Sequence, residues 1–370
     1  MGHLSSMFNG LARSLSVRKG KNFGSACDDR DAAEAMAKEA KKKDFLLCNS
    51  GAMNVDGSMN LVSVFSQRGE KGISQDCCIV WEKFGCQTDM IFCGVFDGHG
   101  PWGHYVSKRV RKTMPASLLY NWQETLAEAS IDPNFSSKFD MKHHWFEVWK
   151  RSYFKTCAAV DQELSQHRNI NSFYSGTTAL SIVRQGDRIV VANVGDSRAV
   201  LATTSDDGTL LPVQLTVDFK PNLPEEAERI SECNGRVFCL DDEPGVHRLW
   251  LPAVESPGLA MSRAFGDYCV KGSGLISEPD VTQRIITSSD QFIILATDGV
   301  WDVVTNQEAV EIVSSTPDRA KSAKRLVEGA MRAWRRKRPE IAMDDISAIC
   351  LFFHSSSPSD LQIRADKATV

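Results

Sequence analysis

An apolar run in the sequence ends at a carboxylate, two glycines and an imidazole. Residues 90–95 (MIFCGV) lead directly into the motif Phe96-Asp97-Gly98-His99-Gly100. The run predicts a buried strand with an exposed end, and the two glycines allow the backbone to turn sharply enough for a carbonyl to face a ligand. The junction is therefore a candidate metal site.

Four more aspartates stand at similar apolar-to-polar junctions: Asp76, Asp196, Asp298 and Asp344. If these strand ends converge, the carboxylates repel one another unless cations neutralise them. Ligand sets made only of oxygen select Mg²⁺ or Mn²⁺, whereas zinc prefers His or Cys. A single aspartate of this kind could equally cap a helix or close a turn. The combination favours a site for hard divalent ions.

The elements that must position these residues follow from hydrophobic periodicity. Strands are predicted at 61–66, 77–81, 90–96, 177–183, 188–194, 198–202, 291–296 and 346–353, and helices at 102–119, 143–167, 225–232, 307–314 and 317–337. Because strands and helices do not alternate regularly, the order favours an α+β fold of two antiparallel sheets covered by helices.

The chain divides by composition into three parts. Residues 1–59 are polar and charged and are predicted to be a flexible, basic extension, although 32–43 has helix-forming composition. The folded domain is predicted at 60–355, with a loop-rich flap subdomain at 221–274 beside the main sheets, of a composition typical of flaps that face a substrate. Residues 356–370 are predicted to be a disordered tail.

Composition excludes several classes of protein. A chain of 370 residues with 42% hydrophobic residues can bury a large core. Its 43 basic and 47 acidic residues give a net charge of −4, which argues against a nucleic-acid partner. Its 11 cysteines lack CxxC spacing and are predicted to be reduced thiols. The sequence contains no phosphate-binding loop or dinucleotide fingerprint.

The first residues match a lipidation pattern. Met1-Gly2-His3-Leu4-Ser5-Ser6 fits the signal for N-myristoylation of Gly2, and four basic residues follow, at Arg13, Arg18, Lys19 and Lys21. A single acyl chain binds membranes weakly, so the basic residues are the second signal that stable attachment needs. We expect a cytoplasmic protein with plasma-membrane association, the nucleus being an alternative location. For the segment itself, a solvated disordered tail is the alternative.

From Leu61 to Phe353 the sequence resembles the type 2C (PPM family) metal-dependent serine/threonine protein phosphatases, and in its details the plant branch. The resemblance rests on seven ordered motifs: residues 71–76 (KGISQD), 96–100 (FDGHG), 175–179 (SGTTA), 195–198 (GDSR), 261–267 (MSRAFGD), 297–302 (TDGVWD) and 344–347 (DDIS). It implies a four-layer α-β-β-α sandwich, in which two antiparallel sheets are flanked by helix pairs.

The resemblance also implies the reaction. Two Mg²⁺ or Mn²⁺ ions would be bridged by Asp97, with Asp76 and the Gly98 carbonyl on one side and Asp298 and Asp344 on the other, and Asp196 matches a ligand of a weaker third ion. The ions would acidify a bridging water for in-line attack on phosphoserine or phosphothreonine, without a covalent intermediate. The substrates would be phosphoproteins, protein kinases among them, and the enzyme a monomer in intracellular signalling.

His99 and Lys71 are the predicted catalytic residues. The family counterpart of His99 has the proposed role of general acid toward the leaving oxygen, although a histidine in a tight turn can be purely structural. Lys71 stands where many relatives carry a phosphate-binding arginine, and it offers a point charge instead of a planar fork. A solvated lysine is the alternative.

Two neighbours of the site also depart from the family pattern. Gln75 stands where glutamate is frequent, and Asp345 where asparagine is common. Neither change removes a metal ligand, and we expect both to affect metal affinity more than reaction type. Arg263 and Asp267 are interpreted as an internal ion pair that positions a loop.

The sequence leaves two other functions open: a catalytically silent binding module and a metal-dependent nuclease. The complete ligand set argues against the first, and the acidic balance argues against the second.

Overall fold

Two six-stranded antiparallel sheets pack against each other at the centre of the fold. In a computed structural model of the chain, the described residues are 27–42, 46–48, 50–55, 60–131 and 141–354. The first sheet has the strand order β1 (Leu46–Leu47), β4 (Cys77–Glu82), β5 (Met90–Phe96), β8 (Ala179–Gln185), β9 (Arg188–Val194), β15 (Asp280–Ile285). The second has the order β11 (Leu210–Gln214), β10 (Arg198–Thr204), β16 (Asp290–Ala296), β17 (Ile346–Phe352), β3 (Asn60–Gln67), β2 (Gly51–Val55).

The central strands are apolar on both faces because each face meets another layer. In β5, Phe92 and Phe96 point to the helices that cover the first sheet, whereas Ile91, Cys93 and Val95 point to the second sheet. Alternating side chains of a strand lie on opposite faces. A continuous apolar run is therefore what a strand between two layers requires.

Helix pairs form the outer layers. α2 (Gly103–Ile131) and α3 (Met141–Ser165) cover the first sheet, and the Trp122 and Trp149 rings stack between them with centroids 5.1 Å apart. After the short α6 (Asp298–Trp301), α7 (Asn306–Ser314) and α8 (Ser322–Lys337) cover the second sheet. The α-β-β-α sandwich predicted from the resemblance is confirmed.

The expectation of a flexible extension up to residue 59 is wrong for much of residues 27–55. α1 (Cys27–Lys42) buries Ala40 in the core of the first sheet, with Met36 and Ala37 packed against the same core. β1 pairs with β4, and β2 pairs with β3, so this segment adds an edge strand to each sheet. A narrow stripe of alanine and methionine is sufficient to hold α1 in place, because the helix only packs against the outside of the core of the first sheet. The predicted lipidation segment and the predicted tail lie outside the described residues.

The flap subdomain has more regular structure than its composition suggested. It contains α4 (Pro224–Glu232), β12 (Arg236–Phe238), β13 (Arg248–Trp250) and α5 (Tyr268–Lys271). A small core of its own consists of Ile230, Leu249, Met261, Ala264, Val270 and Leu275. A three-stranded sheet of β6 (Gly98–His99), β7 (Gly176–Thr177) and β14 (Phe265–Gly266) connects the flap to the motif around Asp97.

The sequence pattern missed the edge strands. In β15 only Val281 is buried, because the strand lies at the edge of the first sheet and alternate side chains face solvent.

None of the helices among the described residues is both long enough and apolar enough to cross a membrane.

Candidate metal and phosphate site

In the first sheet, strand register brings two of the predicted ligands together. Cys77 at the start of β4 pairs with Phe96 at the end of β5. Asp76 precedes the first of these residues and Asp97 follows the second. Antiparallel neighbours place the start of one strand beside the end of the next, so the two aspartates lie at the same edge.

In the second sheet, the same register argument brings together the other three aspartates. The last residue of β16 pairs with the first residue of β10 and with the third residue of β17. Asp298 follows β16, Asp196 precedes β10, and Asp344 precedes β17. Thr297 Oγ1 donates a hydrogen bond of 2.9 Å to Asp76 Oδ2, which joins the edges of the two sheets. We call this region the acidic edge.

The turn after Asp97 is held closely. The Asp97 carbonyl accepts hydrogen bonds from the Thr178 N–H at 2.8 Å and from Thr177 Oγ1 at 2.9 Å. A Cβ atom at Gly98 would lie 2.6 Å from the Gly103 carbonyl oxygen, so only glycine fits there. The backbone needed for a carbonyl ligand at Gly98 is therefore built into the fold.

The acidic edge carries more negative charge than its surroundings offset. Burial raises the pKa of Asp76 to about 7, and repulsion from Asp345 and Asp344 adds to this against hydrogen bonds from Ser347 and Thr297. Burial raises the pKa of Asp97 well above its usual value, as does repulsion from Asp76 and Asp298. The pKa of Asp298 is raised in the same way, by burial and then by Asp196 and Asp344.

Two lysines provide part of the missing positive charge. Lys71 Nζ lies 2.5 Å from Asp344 Oδ2, and Lys220 Nζ forms an ion pair with Asp196 Oδ2. Burial lowers the pKa of Lys71, but the attraction of Asp344 outweighs it, so that the pKa is raised. The same balance, with Asp196 as the main partner, raises the pKa of Lys220.

The residues of the acidic edge fit a hard divalent cation. Asp76 Oδ1, Asp196 Oδ1 and Asp298 Oδ1 are buried and lack a hydrogen-bond partner among the described residues. Carboxylate oxygens with unmatched charge are what Mg²⁺ or Mn²⁺ would satisfy. No three His, Cys, Asp or Glu side chains already form a metal-binding cluster in the part of the chain that is described. The ligand set therefore stays a prediction.

His99 lies next to the acidic edge and pairs with Asp267. Its Nε2 is 2.5 Å from Asp267 Oδ2, while its Nδ1 is buried without a hydrogen-bond partner among the described residues. Burial lowers the pKa of His99, but Asp267 outweighs this effect through attraction and a hydrogen bond, so the pKa is raised. The histidine is held in position and favours its protonated form.

The Asp267 contact corrects one expectation. Arg263 does not pair with Asp267; its Nη2 lies 2.7 Å from Glu226 Oε1, and its guanidinium lies over the Phe219 ring at 3.8 Å. Glu226 also accepts bonds from Arg229. Arg263 still holds the flap, as expected, but through a partner on α4. Asp267 is left free to support His99.

Behind Asp267 lies a second support, which the sequence did not reveal. Asp161 on α3 accepts a hydrogen bond of 3.0 Å from the Gly266 N–H and forms an ion pair of 3.0 Å with Lys271. The Tyr268 hydroxyl donates to the Asp161 carbonyl at 2.6 Å. Asp161 therefore ties β14 and α5, which flank Asp267, to the helix layer.

Asp345 has a structural role that explains its carboxylate. Oδ1 accepts from the Gly69 N–H and Oδ2 from the Gln75 N–H, both at 2.7 Å. Two acceptor oxygens match two backbone donors, whereas an asparagine would turn its NH₂ group toward one of them. Asp345 thus closes the loop that carries Lys71.

Hydrolysis of phosphate monoesters with the help of divalent cations and a proton donor is the chemistry that this fold and site support. The family model "Protein phosphatase 2C" matches residues 61–338, a span that includes every predicted site residue except Asp344. The chain belongs to the protein phosphatase 2C family, and it is a metal-dependent serine/threonine phosphatase of the plant type.

Individual relatives agree with the family model. Probable protein phosphatase 2C 34 of Arabidopsis thaliana is 68% identical over 97% of this chain and 99% of its own length. Probable protein phosphatase 2C 73 of Arabidopsis thaliana is 66% identical, with 96% of each chain covered. Among solved structures, serine-threonine phosphatase 2C from Toxoplasma gondii is 26% identical and has a TM-score of 0.73, covering 83% of this chain and 99% of that one.

Proposed function

We propose that the acidic edge binds two Mg²⁺ or Mn²⁺ ions for the hydrolysis of phosphoserine and phosphothreonine in proteins. Asp97 would be shared between the ions, Asp76 and the Gly98 carbonyl would bind one of them, and Asp298 and Asp344 the other. Asp196 is proposed as a ligand of a weaker third ion, in competition with Lys220. The observation that carries the proposal is the set of buried carboxylate oxygens at this edge that have no hydrogen-bond partner within the described part of the chain.

The chain's own residues account for the proton. Bound cations would neutralise the carboxylates and acidify the attacking water. His99, with Nε2 on Asp267, holds a proton at Nδ1, the nitrogen without a partner among the described residues. As the water oxygen forms its bond to phosphorus and the bond to the serine or threonine oxygen breaks, His99 gives this proton to the leaving oxygen.

Lys71 is proposed to attract the phosphate. Its side chain is about half exposed, at 52%, and its ammonium group already lies on Asp344. A lysine has three donors, so the same group can bind a phosphate oxygen while it keeps one hydrogen bond to the carboxylate. The contact is monodentate, in contrast to an arginine fork.

The test is phosphate release from a phosphothreonine peptide with Mn²⁺, Mg²⁺ or EDTA. We expect activity with either ion and none with EDTA, and a loss of about 10³-fold or more in kcat for Asp97→Asn, since the cations supply several kcal/mol of transition-state stabilisation. The matched control is Asp187→Asn, because Asp187 is an exposed aspartate in the turn between β8 and β9. Activity that survives EDTA would refute the proposal.

The finer statements on partners and location are also part of the proposal. We propose that the enzyme acts as a monomer on phosphoproteins, including protein kinases, and that it is cytoplasmic with plasma-membrane association, or nuclear in part. The sequence of residues 1–6 and the basic residues that follow support membrane attachment through Gly2. Gly2→Ala should move the protein from the membrane pellet to the supernatant, whereas His3→Ala, which keeps the pattern, should not.

A further inference from the structure

Two pairs of exposed aromatic side chains lie on the two backbone segments that adjoin His99. Trp102, Tyr105, Phe173 and Tyr174 have exposed fractions of 39–55%, and they include every exposed Phe, Tyr or Trp among the described residues. The Trp102 and Tyr105 ring centroids are 5.4 Å apart, and those of Phe173 and Tyr174 are 4.8 Å apart. Single exposed aliphatic residues are normal on a surface, but a group of aromatic side chains is typical of a binding site. We call these four residues the aromatic patch.

The two backbone segments that carry the aromatic patch are in contact with each other. The Trp102 N–H donates a hydrogen bond of 2.8 Å to Ser175 Oγ. A Cβ atom at Gly100 would lie 2.3 Å from the Tyr174 carbonyl oxygen, so the two segments are in direct contact. His99 pairs in register with Gly176 at the same place. Both segments that carry the patch therefore adjoin the turn that carries the proton donor.

The segment that carries Phe173 and Tyr174 also holds the support of His99. The Phe173 carbonyl accepts from the Cys269 N–H, and the Ser175 carbonyl accepts from the Asp267 N–H, both at 3.0 Å. These hydrogen bonds hold the backbone on both sides of Tyr174. Binding there costs little additional ordering of the protein.

Chain geometry sets the distance between the aromatic patch and the phosphate. Trp102 is three residues from His99, and Tyr174 is two residues from Gly176, so each lies within about 11 Å of the turn. A phosphorylated side chain arrives on a polypeptide, whose residues each span about 3.3 Å when extended. Residues within about three positions of the phosphoresidue can therefore reach the patch.

We propose that the aromatic patch binds an apolar side chain of the phosphoprotein substrate, within about three residues of the phosphorylated serine or threonine. The proposal rests on the proposed function. It favours a substrate segment over a membrane or a second copy of the chain, because either of those would cover the turn that a phosphoresidue must reach.

The experiment compares phosphothreonine peptides that differ at one position. One peptide has leucine two residues before the phosphothreonine, one has leucine two residues after it, and one has serine at both positions. We expect the better leucine peptide to have a kcat/KM about five-fold above the serine peptide, mostly through KM, because partial burial of one leucine gives an effect of this size.

Variants locate this preference on the protein. Tyr174→Ala and Trp102→Ala should each reduce the leucine-to-serine ratio to about two or less, and Tyr174→Phe should restore it, since the ring supplies the contact. Tyr174 is the more exposed of the two, at 55%, so its variant keeps the test valid if Trp102→Ala folds poorly. The matched controls are Leu211→Ala and Ile285→Ala, at exposed positions toward the far ends of β11 and β15, which should leave the ratio unchanged.

Each contrary outcome has a distinct meaning. An active wild type with equal kcat/KM for all three peptides would overturn the substrate contact and leave the phosphatase function in place. An unchanged ratio in the alanine variants would also overturn it, and reduced sedimentation of those variants with phosphatidylserine vesicles, or a loss of dimer on gel filtration, would then identify the other occupant. A wild type that releases no phosphate from any peptide with Mn²⁺ would remove the proposed function and this contact with it.

Discussion

Buried carboxyl groups have raised pKa values at the acidic edge and a lowered pKa in the flap. At the acidic edge, Asp76 and Asp97 have raised pKa values because burial and mutual repulsion disfavour their charged forms. In the flap, burial alone would raise the pKa of Glu226, but hydrogen bonds from Arg229, Arg263 and Ser262 lower it to about 2. The acidic edge holds uncompensated negative charge, whereas the buried Glu226 carboxylate of the flap is matched by Arg229 and Arg263.

The difference separates a binding site from a scaffold. Partners at every buried charge make a loop rigid, whereas unmatched carboxylates cost stability unless a cation binds them. His99 lies where the two regions meet, with the acidic edge on one side and Asp267 from the flap side on the other. The flap, whose buried charges are paired, therefore positions His99 as a proton donor beside the acidic edge.

Among the variants that test this comparison by activity or stability, the largest effect is expected at His99, where the two regions meet. His99→Ala should lower kcat on a phosphothreonine peptide by about 10²-fold, and lower it much less on an activated aryl phosphate, whose leaving group needs no proton. His99→Gln keeps an N–H donor near Asp267 without a proton to transfer, and it should show the same loss with better stability. An equal loss on both substrates would assign His99 a structural role.

The flap should lose stability when its central carboxylate is neutralised. Glu226→Gln should cost about 3 kcal/mol of unfolding free energy at pH 7, since a pKa of about 2 against an ordinary 4.5 stabilises the folded state by an amount of this size. A lowered pKa contributes its stability above about pH 4.5 and loses it as the pH falls toward 2.

Urea unfolding at pH 7 and pH 3 measures both the size of this stability loss and the direction in which it changes with pH. The difference between wild type and Glu226→Gln should shrink at the lower pH. Glu255→Gln, at an exposed position of the flap, is the control and should show little change at either pH. A difference that stays constant with pH would mean that the ion pairs of Glu226 do not hold the flap.

A smaller effect is expected from the support behind Asp267. Asp161→Asn removes the counter-charge of Lys271, whose pKa burial already lowers, and weakens the link to Gly266. We expect kcat on phosphothreonine peptides to fall about ten-fold with KM changed by less than two-fold, because a displaced proton donor slows the reaction without weakening binding.

Glu163→Gln is the control for Asp161→Asn, since it breaks a different ion pair of the same helix, with Arg109. It should leave kcat within about two-fold, because this pair joins α2 to α3 and does not hold the segment around Asp267. If the two variants lose activity equally, the effect belongs to α3 as a whole and not to the position of His99.

The positions of the predicted metal ligands could be read from the sequence because each follows from an element. Asp97 and Asp298 come at the ends of apolar runs, and the antiparallel register then requires the strand starts near Asp76 and Asp344 to lie beside them. A strand buried on both faces leaves a strong hydrophobic signal.

The partners of the site could not be read in this way. Lys220 pairs with Asp196, and Asp267 pairs with His99 across 168 residues, so no periodicity connects them. The misassigned Arg263 shows the same limit: a neighbour in a motif is not a neighbour in space. α1 was missed as part of the fold because its apolar stripe is narrow. The stripe is buried only when it packs against the core of the first sheet.

The smallest expected effect is a shift in melting temperature, whose direction should differ between a variant of the acidic edge and a variant of the flap. Without metal, Asp97→Asn removes one of several repelling carboxylates, so its melting temperature in EDTA should be about 2–4 °C above that of wild type. Glu226→Gln should shift it the other way. Added Mn²⁺ should raise the melting temperature of wild type more than that of Asp97→Asn, because a ligand that binds only the folded state stabilises it according to its affinity. Asp187→Asn should behave as wild type in both conditions. A lower melting temperature for Asp97→Asn in EDTA would mean that the acidic edge is already matched in charge, and the contrast with the flap would fail.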